Sequence, residues 1–167
     1  MDVGTSLIGL IFLLFCVIIF VILSRSNRKR EKKLLQSLRR LAEQSNCKIM
    51  QHDIWNNSVI GIDHTANVVF AIRNTNNNSV CFQINLSEIQ KCSVINTRKT
   101  DGNKEDNFRE IEKLELSFTY SDKNKPVTVF DFYNAGYDTS SLNGELQLIE
   151  RWCKIANDKF TLLSLKK

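Results

Sequence analysis

The 167 residues carry 25% charged and 43% hydrophobic side chains, the balance of a folded chain and not of a disordered one. The net charge of +5 is unevenly placed: residues 1–45 hold eight Lys/Arg against three acids, while residues 46–167 hold fifteen of each sign. A domain without excess positive charge lacks the surface that nucleic acid demands, so nucleic acid is not an expected partner.

Residues 7–23, LIGLIFLLFCVIIFVIL, are all apolar or Gly. With the uncharged residues 3–6 before them, they reach the length of about 20 residues that a helix needs to cross a bilayer. Residues 1–24 are therefore expected to be a transmembrane signal anchor. Arg25, Arg28, Lys29, Arg30, Lys32 and Lys33 follow at once and are the expected membrane-surface contacts. Positive charge beside a span stays in the cytoplasm. The expected location is the inner membrane, single-pass, with the lipid bilayer as a partner and the C-terminal domain cytoplasmic. A cleaved signal peptide is the rival reading. It fits less well, because no Lys or Arg precedes the apolar run and Ser24-Arg25-Ser26 is a poor cleavage site.

Residues 25–46 form a basic linker helix with Leu34, Leu38 and Leu41 on one narrow stripe, flanked by Leu35 and Ala42. Three uses of the stripe and its charges stay open. The leucines dock on the following domain, or they make a short coiled coil and a homodimer, or the basic cluster meets anionic headgroups.

From Lys48 the pattern turns to strands. Strands are expected over residues 48–55, 58–62, 67–73, 80–85, 91–98, 111–120 and 127–133, with Asn-rich turns between several of them. The clearest is 111–120. There Leu114, Leu116, Phe118 and Tyr120 point one way, and Lys113, Glu115, Ser117 and Thr119 the other. Residues 99–109 are polar and form a long loop, the expected partner-contact surface. A tolerated insertion is the competing use of that loop. The last element is an amphipathic helix with Asn143 at its N-cap and Leu148, Ile149, Trp152, Ile155, Ala156 and Phe160 on one face. Seven strands closed by one helix make an α+β domain over residues 47–167, a small split barrel with Trp152 as its plug.

No catalytic constellation is present. There is no P-loop, G-x-S-x-G, G-x-G-x-x-G or H-E-x-x-H motif. The two histidines, His52 and His64, are too few for a histidine-built metal site, and His64 beside Asp63 reads as a turn residue. Asp131, between Phe130 and Phe132, reads as a sheet hydrogen-bonding group. Asp101, Glu105 and Asp106 lack EF-hand spacing. Cys16, Cys47, Cys81, Cys92 and Cys153 make no C-x-x-C pair and read as free thiols in a reducing compartment. No metal, cofactor or enzyme activity is expected.

Three stretches carry a family resemblance: Gly61-Ile62-Asp63 with residues 68–72, residues 82–89 (FQINLSEI), and residues 145–157 with Trp152. The chain resembles the pleckstrin-homology-like domains found behind a membrane anchor in bacterial proteins. The resemblance covers residues 48–162 and implies seven strands in a PH-like split barrel capped by a C-terminal helix. It departs at one place. Phosphoinositide-binding members set Lys/Arg around the first hairpin loop, and here that loop is Asn56-Asn57. The expected function is a membrane-tethered, non-enzymatic module that presents a protein-binding surface at the cytoplasmic face. The alternative is a sensor of anionic lipid, using the basic helix together with the domain.

Overall fold

The computed structural model describes residues 3–75, 78–99, 110–138, 142 and 144–164. The chain runs α1 (Val3–Gln44), β1 (Gln51–Trp55), β2 (Ser58–Asp63), β3 (Val68–Thr75), β4 (Asn78–Asn85), a 3-10 turn (Leu86–Glu88), β5 (Ile89–Arg98), β6 (Ile111–Tyr120), β7 (Thr128–Asn134) and α2 (Glu145–Ser164). The expected strands are all found, each within a few residues of its expected limits.

The strands form two antiparallel sheets, ordered β1-β2-β3-β4 and β5-β6-β7. The expected split barrel is thereby corrected: among the described residues no closed barrel exists. The reason is local. β4 pairs only with β3 and β7 only with β6, so neither edge strand joins the other sheet. The main core lies where the two sheets and α2 meet. It holds Ile60, Ile62, Val69 and Ala71 from the first sheet, Leu116, Phe118, Phe130 and Phe132 from the second, and Ile149, Trp152 and Ala156 from α2.

α1 is one unbroken helix of 42 residues, so the two expected N-terminal helices are a single element. It ends where Asn46 adopts a left-handed φ of 53°. The amide of Cys47 then reaches the carbonyl of Ala42, and that of Asn46 the carbonyl of Glu43, which caps the last turn. Leu34, Leu38 and Ala42 pack on the outer face of the first sheet, against Val59, Val68, Phe70 and Ile72. The leucine stripe is thus occupied within the chain. Both faces of β2 and β3 are covered, which is why these strands read as near-continuous apolar runs. Gly61 lies at the closest approach. A Cβ there would stand 2.9 Å from both Leu38 Cδ2 and Ile49 Cγ2, so only glycine lets the helix sit this near the strand.

Among the described residues no helix is long and apolar enough to cross a membrane. This corrects the expectation of a transmembrane signal anchor and, with it, the single-pass, inner-membrane location. The described side chains of the apolar run are those of residues 12–20. Those side chains are exposed.

Candidate functional site: a groove between two strand edges

β4 and β7 each leave one row of backbone groups without a strand partner, and a groove of about 460 Å³ lies between them. Alternation explains its lining. Val80, Phe82 and Ile84 share one face of β4, but the sheets diverge along it. Ile84 is buried in the core, Phe82 is half-buried and Val80 is 45% exposed. Val129 and Phe130 face them from β7. Phe82 and Phe130 meet edge to face with ring centroids 5.0 Å apart and form the apolar floor.

A polar cluster closes one end. Arg73, at the end of the buried run of β3, is itself buried. Its guanidinium donates to the carbonyl of Asp131 at 2.5 Å and to Asp138 Oδ2 at 2.6 Å. It also lies 5.0 Å from the centre of the Tyr137 ring, a cation–π distance. Tyr137 donates its hydroxyl to the Asp131 carboxylate, and burial followed by that carboxylate holds the phenol above its ordinary range. Lys113 approaches the other oxygen of Asp131 at 3.4 Å and Glu115 at 2.5 Å. The hydrogen bond to Glu115, with Asp131 assisting, raises the Lys113 ammonium above its usual value. Asp131 therefore serves as a hydrogen-bonding group, as expected, but it also closes the groove. Its main-chain carbonyl ties the second sheet to Arg73 of the first, while its carboxylate holds Tyr137 and Lys113.

A second, polar cleft of about 410 Å³ adjoins the groove through Arg73 and Tyr137 and runs beneath α1 past Arg30, Asn57 and Asn74. Of the expected contact residues, Arg25, Arg28, Lys29, Arg30, Lys32 and Lys33 are all exposed. Only Arg30 has a described side-chain hydrogen bond, to Asn57 Oδ1 at 2.7 Å. The expected contact loop, residues 99–109, lies outside the described residues except for Lys99, and so do Asp101, Glu105, Asp106 and Asn143. Among the described residues no group of three or more His, Cys, Asp or Glu is placed to hold a metal ion.

The pair Asp63 and His64 has a structural use. Asp63 is buried. Its carboxylate accepts from the amides of Lys48, Thr65 and Ala66 at 2.7, 2.7 and 2.9 Å. Those amides, Lys48 first, hold its carboxyl below the ordinary value of 3.8. His64 lies beside Gln51 and Lys159. Burial, then the Lys159 charge, depress its pKa below 6.5. Both folded values lie below the unfolded ones, so the unfolded chain takes up protons first as pH falls. The two contributions are complete above the unfolded values and are lost as pH drops through the folded ones. Thermal unfolding is expected to move to lower temperature between pH 7 and pH 5 through His64, and again below about pH 4 through Asp63. In His64→Gln the first step should disappear. A first step unchanged in that variant would exclude His64 as its origin.

Compared with known proteins, the chain matches no family model, no curated protein and no solved structure.

Proposed function

We propose that the domain is a non-enzymatic interaction module that takes an extended peptide into the groove between β4 and β7 as an added strand. One observation carries this reading: two unpaired strand edges flank a single apolar groove. An extended peptide can satisfy the free backbone groups of an edge while alternate side chains settle on Val80, Phe82 and Val129. An open edge beside exposed apolar side chains is otherwise a liability for a folded chain.

The test is selection from a displayed library of linear peptides against the whole chain, followed by amide chemical-shift mapping with the strongest peptide. Shifts are expected to concentrate in β4 and β7. Val80→Lys places a charge on the exposed groove wall and is expected to weaken that peptide by tenfold or more, at unchanged thermal stability. Peptides whose shifts map to other surfaces, or that bind Val80→Lys equally well, would overturn the proposal.

A further inference from the structure

The face of α2 that meets β5 is pinned at one residue. The side-chain amide of Asn157 accepts from the Cys92 amide at 3.0 Å and donates to the Cys92 carbonyl at 3.0 Å. This two-point grip holds the helix in register with the strand. One turn earlier on α2, Cys153 Sγ lies 3.4 Å from the same Cys92 carbonyl and 3.4 Å from Asn157 Nδ2. Cys153 packs against the same core cluster that holds Cys92, so the two side chains meet at the seam between β5 and α2. Their exposure differs. Cys92 is 2% exposed within the main core, while Cys153 is only partly buried at its rim.

We propose that Cys92 and Cys153 form a peroxide-oxidisable thiol pair that closes into a disulfide between β5 and α2. Cys153 is the sulfur that a small oxidant meets first, and Cys92 is the resolving partner behind it. The Cys153 thiolate attacks one oxygen of hydrogen peroxide and the O–O bond breaks. Hydroxide leaves and takes up a proton as water, and Cys153 becomes a sulfenic acid. The Cys92 sulfur then gives up its proton, attacks the Cys153 sulfur and displaces the sulfenic oxygen as a second water. Two thiols are oxidised to one disulfide, and one peroxide is reduced to two waters. The local chemistry favours this order. The neighbouring Cys92 side chain, with Asn157 and Lys91 assisting, brings the Cys153 thiol below its ordinary value against opposing burial. The neighbouring Cys153 side chain, together with burial, pushes the Cys92 thiol up. The more ionised sulfur is also the more accessible one.

The experiment treats the whole reduced chain with one equivalent of hydrogen peroxide near neutral pH, then blocks remaining thiols with iodoacetamide under denaturing conditions and maps the peptides. Five titratable thiols are expected to fall to three, with a cross-linked peptide joining Cys92 to Cys153 and Cys16, Cys47 and Cys81 alkylated. Cys153→Ser should leave Cys92 reduced. In Cys92→Ala, dimedone should capture Cys153 as its sulfenic acid. Peptide mapping of the wild-type chain decides the matter even if a variant folds poorly. Oxidation confined to Cys16 or Cys81, or a sulfinic acid at Cys153 beside a still-reduced Cys92, would overturn the proposal.

Discussion

Trp152→Ala is expected to destabilise the domain by about 4 kcal/mol, within the range for removing a buried aromatic side chain. Trp152 is 1% exposed and is one of the largest fully buried side chains. It sits on the face of α2 shared by Ile149 and Ala156, in the core formed with both sheets. Its indole N–H donates to Asp53 Oδ2 at 2.9 Å, and Arg151 meets the same oxygen at 2.7 Å. Removing the ring would leave a cavity and loosen the helix from β1 at once. Trp152→Phe separates the two effects. It keeps most of the apolar volume but removes the donor, and is expected to cost about 1–2 kcal/mol. Urea unfolding of both variants measures the losses. A loss below about 1 kcal/mol for the alanine variant would show that α2 does not close the core through this residue.

Arg73→Ala is the second large effect, about 3–5 kcal/mol, because in a partly buried setting it leaves the Asp131 carbonyl without its guanidinium donor and the Asp138 carboxylate with the Asn134 amide but no counter-charge. The Arg73 and Asp138 side chains are 6% and 16% exposed, so solvent screens the pair poorly. Arg73→Lys keeps the charge but loses the fork that reaches both acceptors, and is expected to recover only part of the loss. A double-mutant cycle with Asp138→Asn should give a coupling of about 1–3 kcal/mol. Coupling near zero would mean that Arg73 acts through the Asp131 carbonyl and the Tyr137 ring and not through Asp138. Because Arg73 also closes one end of the groove, its loss is expected to weaken peptide capture in any variant population that remains folded.

These two residues mark how unevenly the fold was legible. Trp152 was readable as a closing plug because helical periodicity placed it among Leu148, Ile149, Ile155 and Ala156. Arg73 gave no signal. It reads as a polar residue ending an apolar strand, and its partners lie 58 and 65 residues further on. The groove was missed for a related reason. Val80, Phe82 and Ile84 alternate as a core face should, and nothing within β4 says that the sheets diverge before Val80 is covered. The unpaired edges arise from the relation of β4 to β7, two segments separated by the whole of β5 and β6.

The amino-acid sequence by itself determined the local elements: the seven strands, the closing helix, the Asn-bearing turns and the leucine stripe of α1. Those are properties of short windows, where side-chain period and turn chemistry act on neighbouring residues. Its limits were set by distance along the chain. Only the tertiary structure decided that α1 covers the first sheet over Gly61, that the sheets stay open instead of closing into a barrel, and that Arg73 binds one sheet to the other. Each of these depends on which distant surfaces meet. That choice is made by burial and hydrogen-bond satisfaction across the whole domain, and no single stretch of residues contains it.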